Sequence, residues 1–350
     1  MHEARERPAW RAPREGARRQ RAAHLRLLTP SASPGRGRTF WIGVGCAIGV
    51  LLIWTSFILI ARVSAKGHLS PFDISFVRFV FSGLIALPVV FLRGGWLLEQ
   101  LAPDPRQAFK RGAALVATAG IGYCSLAYSG FFFAPVSHAA VLLPGSLPLY
   151  TAVFAALLVG ERFGRARLIG LAAIVAGNLL TGSASLRQAL IGDHTWKGDV
   201  LFVGAGMCWA LYSVLCRRWH LGAVPATCAI AIGCLASYVP LFALAAAGGL
   251  VPTQLASAPW SEIAFQAVYQ GGLSMFVAGV AFTQVVKTFG PVRATMMTAV
   301  VPVLATLLAL PLLGETLTVV GVVGLVFVTL GLVIGIRAQA GISRTRPASG

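Results

Sequence analysis

Residues 160–180 read GERFGRARLIGLAAIVAGNLL, residues 314–334 read GETLTVVGVVGLVFVTLGLVI, and the two segments align without a gap at an offset of 154. Each segment opens with Gly-Glu, and each has two further glycines at matching positions. Upstream, Pro148 matches Pro302 at the same offset. Apolar composition alone does not produce matched Gly, Glu and Pro positions, so the chain contains an internal repeat.

The composition around this repeat is strongly apolar. Of the 350 residues, 57% are hydrophobic and only 11% are charged, whereas charged residues make up about 25% of a soluble domain. Such a composition excludes a soluble globular enzyme and a disordered chain. Ten apolar runs are long enough to cross a bilayer. They lie near residues 40–61, 74–92, 112–131, 138–159, 166–183, 199–216, 224–247, 263–286, 292–313 and 316–336.

The repeat divides these runs into two sets of five. At an offset of 155, three residues of the first run match residues of the sixth: Gly43 with Gly198, Gly49 with Gly204, and Trp54 with Trp209. The predicted repeats are residues 40–183 and 184–336. Because five is odd, the second repeat enters the membrane from the opposite side. We therefore predict an all-α polytopic membrane protein with ten transmembrane helices in two inverted five-helix repeats, an architecture typical of secondary transporters.

Basic residues indicate the orientation. The chain has 29 Lys and Arg against 11 Asp and Glu, a net charge of +18. In the ten-span arrangement, 24 of the basic residues fall in the segments on the amino-terminal side and 4 on the other. The positive-inside rule then predicts an inner-membrane protein with both termini cytoplasmic. Residues 1–39 are predicted to be a disordered Arg-rich cytoplasmic tail and residues 337–350 a second cytoplasmic tail. The charge suits a lipid bilayer, and we expect no nucleic-acid partner.

A known family shares these features. The chain resembles the drug/metabolite transporter superfamily, in its ten-span form with two EamA-type domains, over about residues 40–336. The resemblance is carried by Trp54 with Phe57, Pro71, Arg78, Pro148, Gly160-Glu161, Gly198-Asp199, Trp209, Pro302 and Gly314-Glu315. It implies a carrier that exports a small metabolite, either an amino-acid-like or a drug-like solute. The first span lacks the acidic residue that proton-coupled small multidrug-resistance relatives have there, which favours facilitated diffusion or exchange over proton antiport.

Arg78 is the basic residue that lies well inside a predicted span. Placing an Arg at the bilayer centre costs roughly 2.5–3.5 kcal/mol, so its side chain should face an interior cavity or extend to the membrane surface. Two interpretations remain. Arg78 anchors a carboxylate or phosphate of the substrate, or it is a structural residue bonded to helix ends or to Asp73.

The eighth span has a polar face. Gln266, Gln270 and Ser274 recur at four-residue intervals, with Tyr269 beside them. This spacing places them on one side of a helix. In hydrocarbon such a face turns inward, either toward a water-filled cavity or toward hydrogen bonds with another helix.

Aromatic residues are further candidates for the substrate pathway. Trp54 and Trp209, which the repeat relates, lie deep in their spans, and Tyr123, Tyr128 and Tyr212 join them. Aromatic walls suit flat or apolar metabolites and offer cation–π contacts, although packing alone also explains single residues of this kind.

Prolines and a histidine complete the candidate site. Pro148 and Pro302 interrupt predicted spans, and transporters use such breaks near binding sites. His138, at the start of the fourth span, is either a pH-sensitive or substrate contact or a structural residue.

The six cysteines lack metal-ligand spacing, so we expect no metal, no cofactor and no disulfide. The sequence makes no prediction of oligomeric state.

Four acidic residues lie at predicted span ends. Each of them suits capping of the helix that follows it, where backbone N–H groups are exposed; they are Glu161, Glu315, Asp73 and Asp199.

Two rival functions stay open. One is a polytopic enzyme acting on lipid-linked substrates, which would need a reactive cluster at one membrane face. The other is a membrane receptor or scaffold that signals through the Arg-rich tail.

Overall fold

The structure, a computed structural model, describes residues 36–289, 294 and 297–345. Its regular structure is entirely helical, and we number the ten helices of this part of the chain in order. They are α1 (Arg36–Ser64), α2 (Pro71–Leu101), α3 (Pro105–Phe133), α4 (Val136–Val159), α5 (Arg165–Ala189), α6 (Thr195–Arg218), α7 (Ala223–Ala247), α8 (Trp260–Phe289), α9 (Val301–Leu313) and α10 (Val319–Thr345).

Nine of these helices are long and apolar enough to cross a membrane. The exception, α9, has only 13 residues and follows a turn at residues 299–300. Residues 292, 293, 295 and 296 of the predicted ninth span lie outside the described chain. The multi-pass all-helical fold expected from the apolar runs is confirmed.

The helices extend beyond the predicted apolar runs. Helix α1 begins at Arg36 and α10 continues to Thr345, so helix covers residues 36–39 and 337–345 of the two predicted tails. The reason is that a helix does not stop at the edge of the hydrocarbon: Arg, Ala and Gln are good helix formers and continue it into the polar interface. Residues 1–35 and 346–350 of the two tails lie outside the described residues.

Helices α4 and α9 show the repeat in their backbone. Pro148 and Pro302 each occupy one of the first two positions of a helical segment, Leu147–Val159 in α4 and Val301–Leu313 in α9. Each segment ends on a left-handed glycine, Gly160 with φ 69° and Gly314 with φ 64°. A turn precedes each proline, at Ser146 and at residues 299–300, so the predicted spans are interrupted directly before these prolines. Proline is tolerated at a helix start, where its missing N–H has no intrahelical partner, so these residues begin helical segments.

Helices α5 and α10 cross at their glycines. A Cβ atom on Gly170 would lie 2.8 Å from the carbonyl oxygen of Gly331, and one on Gly177 would lie 2.6 Å from that of Gly324. In the repeat, Gly170 corresponds to Gly324 and Gly177 to Gly331. The repeat therefore relates the Gly170–Gly331 contact to the Gly177–Gly324 contact. The crossing is antiparallel and has the two-fold relationship that inverted repeats require.

Three helices contain π-helical segments, which are often found at functional sites. They are residues Val116–Gly122 in α3, Val141–Gly145 in α4 and Ala267–Val277 in α8. Each segment contains or directly precedes a residue of the central cavity described next.

Candidate functional site

A cavity of about 160 Å³ lies among the helices. Most of its lining is aromatic or aliphatic, and the side chains of Arg78, Ser274 and Thr298 are polar. The lining residues are Trp54, Phe57, Ile58, Arg78, Tyr123, Leu143, Pro144, Leu147, Gly206, Trp209, Ser274, Thr298 and Val301. They come from α1, α2, α3, α4, α6, α8, the start of α9 and, for Thr298, the segment just before α9, so both repeats contribute.

Five of the predicted site residues line this cavity: Trp54, Arg78, Tyr123, Trp209 and Ser274. The two tryptophans occupy equivalent positions in the two repeats, in α1 and α6. The Tyr123 ring packs on Trp209 with ring centroids 4.9 Å apart. The repeat therefore brings an aromatic residue to the cavity from each half of the chain.

Arg78 is buried between two neutral partners. Its Nη1 donates to the hydroxyl oxygen of Tyr128 at 3.1 Å and to Oε1 of Gln270 at 3.5 Å. Tyr128 in turn donates its proton to the same Gln270 oxygen at 2.9 Å. The predicted site residues Tyr128 and Gln270 thus hold Arg78 in place at the cavity.

Asp73, the alternative partner predicted for Arg78, is occupied elsewhere. Its carboxylate accepts the backbone N–H of Ser70, and the Ser70 hydroxyl accepts the N–H of Asp73, which forms a capping box at the start of α2. It also accepts hydrogen bonds from the Thr253 hydroxyl and the Gln254 N–H. The prediction that Asp73 caps a helix is confirmed, and its predicted pairing with Arg78 is wrong because Arg78 bonds Tyr128 and Gln270 instead.

The polar face of α8 turns inward, and most of it bonds to another helix. Gln266 donates to the hydroxyl of Ser64 in α1 at 2.5 Å. Tyr269 lies 2.5 Å from the hydroxyl of Ser56 and donates to the carbonyl of Ile53 at 3.0 Å, both in α1. Interhelical hydrogen bonding therefore accounts for these two residues, while Ser274 reaches the cavity and Gln270 reaches Arg78.

Two predicted residues lie behind the cavity wall. Tyr212 packs on Trp209 with ring centroids 5.3 Å apart, and it is not among the described lining residues. Pro302 is buried at the start of α9 next to the lining residue Val301. Both contact or adjoin residues that line the cavity.

His138 lies in α4 and pairs with an acid instead of facing the cavity. Its Nδ1 is 2.8 Å from Oδ1 of Asp199 and 3.3 Å from the Ser185 hydroxyl. Asp199 was predicted to cap α6, and this is wrong because α6 begins four residues earlier, at Thr195. The pair joins α4, α5 and α6 near their ends.

Pro148 lines a second cavity, of about 240 Å³. This cavity shares Pro144, Leu147 and Thr298 with the first one, and it extends to Arg167 at the start of α5. The two cavities meet at the break in α4.

An ion pair holds the helices at the Val136 end of α4. Arg62, near the end of α1, bonds Glu315 through Nε at 3.2 Å, and its Nη1 donates to the Phe131 carbonyl. Glu315 also accepts the backbone N–H of Val136 at 2.9 Å. Glu315 therefore caps a helix, as predicted, but the helix is α4 and not the one that follows it in sequence.

A second ion pair holds the opposite end of α4. Glu161 accepts hydrogen bonds from Arg167 at 2.8 Å and from Arg217 at 2.7 Å. Partial burial raises the pKa of the Glu161 carboxyl, but the two guanidinium groups lower it by more, so its pKa lies below the ordinary value. The predicted cap of the following helix is wrong here, because both carboxylate oxygens bond arginine side chains.

The two ion pairs are equivalent under the repeat. Arg62 matches Arg217 at the offset of 155, and Glu161 matches Glu315 at the offset of 154. Each arginine bonds the glutamate of the other repeat. Sequence reasoning missed this relationship, although both offsets that reveal it were readable.

Comparison with known proteins agrees with this architecture. The chain is 27% identical to "Uncharacterized inner membrane transporter YedA" of Escherichia coli (strain K12) over 301 residues, which cover 82% of this chain and 90% of the relative. It is 25% identical to "Uncharacterized transporter YyaM" of Bacillus subtilis (strain 168) over 274 residues, covering 76% and 84%. A solved protein, described as "Crystal structure of protein", shares the fold with a TM-score of 0.51 at 20% identity, over 85% of this chain and 97% of that one.

The model of the EamA-like transporter family matches residues 41–183 and again residues 196–336, so two EamA domains account for most of the chain. This is a family of membrane transporters and not of enzymes. The resemblance seen in the sequence is confirmed, and the chain belongs to the EamA-like transporter family.

Proposed function

We propose that the chain is a secondary transporter that moves a small organic solute across the inner membrane by alternating access, with the central cavity as its binding site. The observation that supports this most is the pair of repeat-related ion pairs, Arg62–Glu315 and Arg217–Glu161. They lie at opposite ends of α4, and each joins one repeat to the other.

The cavity lies between these ion pairs. Trp54 precedes Arg62 by eight residues in α1, and Trp209 precedes Arg217 by eight residues in α6. At 1.5 Å per residue, each tryptophan lies about 12 Å along its helix from the arginine. Breaking one ion pair frees the two repeats to separate at that end while the other end stays closed. This is the arrangement that alternating access needs.

For orientation we propose that both termini are cytoplasmic, as the loop charges favour. The Glu161 end then faces the cytoplasm and the Glu315 end faces outward. The second cavity, which reaches Arg167, would be the cytoplasmic approach to the site. We propose export of a metabolite as the physiological direction, and the family resemblance leaves both amino-acid-like and drug-like solutes as candidate classes.

A flux assay tests the proposal. The full chain is reconstituted into vesicles, and the exit of labelled metabolites from a panel is measured with and without the same unlabelled solute outside. A carrier gives saturable flux that the outside solute accelerates, because the loaded carrier returns faster than the empty one. Flux that is linear in concentration and insensitive to the outside solute would contradict the proposal.

Deleting residues 1–39 separates the carrier from a receptor or scaffold that signals through this segment. The carrier keeps its flux, since the cavity and both ion pairs lie in the remaining chain. Loss of flux with unchanged folding would favour a function based on the tail.

A further inference from the structure

Arg78 is a buried cation whose partners are neutral. Its side chain belongs to a residue that is 6% exposed, and none of the ion pairs among the described residues includes it. Its Nε has no hydrogen-bond partner in the described part of the chain. A buried charge without a counter-charge is costly. The cavity that Arg78 lines therefore favours an anionic occupant.

Gln270, which contacts Arg78, has a used acceptor and an unused donor. Gln270 is fully buried, and its Oε1 already accepts from Tyr128 and Arg78, while its Nε2 has no partner among the described residues. Ser274 lies one helical turn further along α8 and lines the cavity. Guanidinium Nε and Nη groups match the two oxygens of a carboxylate in a planar, bidentate geometry. Arg78, which lines the cavity and has an unpartnered Nε, thus points to a carboxylate.

The remainder of the cavity offers a cation aromatic faces but no counter-charge. Its aromatic walls are Trp54, Phe57, Tyr123 and Trp209, and no Asp or Glu is among the described lining residues. An ammonium group would find no carboxylate there and would lie in the same cavity as Arg78. Its volume, about 160 Å³, is also smaller than the roughly 300–1,000 Å³ typical of sites for drug-sized ligands.

We propose that this cavity selects small organic monocarboxylates that have a planar apolar group and no ammonium group. The carboxylate contacts Arg78, which Tyr128 and Gln270 hold in place, and the planar group lies among the aromatic side chains. This inference deepens the proposed function. It rests on that function for one point, namely that the bound anion is also the transported solute. It narrows that function, because it disfavours zwitterionic amino acids.

Ligand binding to the purified full chain in detergent tests the proposed carboxylate selectivity without a transport assay. Thermal unfolding is followed with five probes that vary one feature at a time: 3-phenylpropionate, its neutral amide, phenylalanine, phenethylamine and propionate. A ligand that binds only the folded state raises Tm with concentration. We expect 3-phenylpropionate to give the largest shift and the other four much smaller ones.

Variants assign the effect to Arg78. Arg78→Gln should weaken 3-phenylpropionate binding about tenfold or more, as expected for loss of a charged hydrogen-bonding partner. Arg78→Lys keeps the positive charge but lacks the planar guanidinium group, so it should give an intermediate loss of binding affinity. Arg218→Gln is the matched control, because Arg218 is exposed and donates to the Leu158 carbonyl. It should bind as the wild type does.

Each outcome of these binding measurements either supports or contradicts the proposed carboxylate site. Equal shifts for the acid and the amide in the wild-type protein, or no shift for the acid, would overturn the anion site even if Arg78→Gln failed to fold. A shift for phenylalanine as large as that for 3-phenylpropionate would overturn the exclusion of ammonium. If 3-phenylpropionate binds selectively but the chain shows no carrier flux, the proposed function is contradicted and this inference is not. If the chain transports other solutes but does not bind 3-phenylpropionate, this inference is contradicted and the proposed function is not.

Discussion

Gly170 and Gly331 bring the backbones of α5 and α10 into contact: a Cβ on Gly331 would lie 2.5 Å from the Gly170 carbonyl oxygen, and one on Gly170 would lie 2.8 Å from the Gly331 oxygen. Distances below 3 Å to backbone cannot be relieved by a rotamer change. The helices would have to separate to accept any side chain at these positions. Small residues at such crossings let membrane helices pack closely.

The crossing predicts the effect of adding one methyl group. Gly170→Ala should destabilise the protein by about 1–3 kcal/mol, the usual cost of overpacking. Gly182→Ala in the same helix is the control, because open space surrounds Gly182 and alanine favours a helix by up to about 1 kcal/mol. Thermal unfolding in detergent measures both. An equal effect of the two substitutions would show that the crossing is not close-packed.

The ion pair at Glu161 predicts a pH dependence of stability. Partial burial raises the pKa of this carboxyl, but Arg217 and Arg167 lower it by more, so the folded-state pKa lies below the ordinary 4.5. Such a group stabilises the fold above its unfolded pKa, and this contribution is lost as the pH falls through the folded pKa.

We therefore expect Glu161→Gln to have a lower Tm than the wild type at about pH 7, and the difference to shrink on acidification and to disappear once the pH lies below the folded-state pKa of Glu161. Unfolding scans of both proteins across this range provide the measurement. Glu99→Gln, at an exposed position of α2, is the control and should match the wild type throughout. A difference between Glu161→Gln and wild type that grows on acidification would rule out the ion pair as the cause.

The capping box at the start of α2 predicts a moderate stability loss. Ser70→Ala removes the hydroxyl that accepts the Asp73 N–H and should cost about 1 kcal/mol. Ser183→Ala removes an exposed hydroxyl that donates to a carbonyl of its own helix, and it should cost much less. If the two variants unfold at the same temperature, the cap contributes nothing measurable.

The cavity also predicts the energetics of transport. No Asp or Glu is among its described lining residues, so no acidic side chain there can carry a proton with the solute. Exchange across vesicle membranes should proceed without a pH gradient, and imposing one should not drive net accumulation of the solute. Accumulation that follows the gradient and collapses with a protonophore would refute this.

Much of the fold could be predicted from the sequence because hydrocarbon imposes strong constraints. Runs of about 20 apolar residues and the matched Gly, Pro and Glu positions were enough for ten helices in two repeats. Helix ends were less predictable, since α1 and α10 continue through charged residues. Backbone hydrogen bonding does not stop where the apolar side chains stop.

The cavity was predictable only in part. The repeat identified Trp54 and Trp209, and the cost of a charge in the membrane identified Arg78. A periodic pattern places residues on one face but does not say which of them meet another helix, so Gln266 and Tyr269 could not be separated from Ser274. Contacts between the repeats, such as Arg62 with Glu315, depend on how the two halves pack.

Accessibility of Ser274 from the two sides of the membrane tests alternating access most directly. In a chain with its six cysteines replaced, Ser274→Cys is labelled by an impermeant maleimide added to one side or the other of oriented vesicles. With Arg62→Gln, labelling should rise from the side of the Glu315 end and fall from the other; with Arg217→Gln, it should change in the opposite direction. Lys66→Gln, at an exposed lysine near Arg62, should change neither rate. Labelling from one side only, or an equal rise from both sides in both arginine variants, would contradict a carrier with two alternating ends.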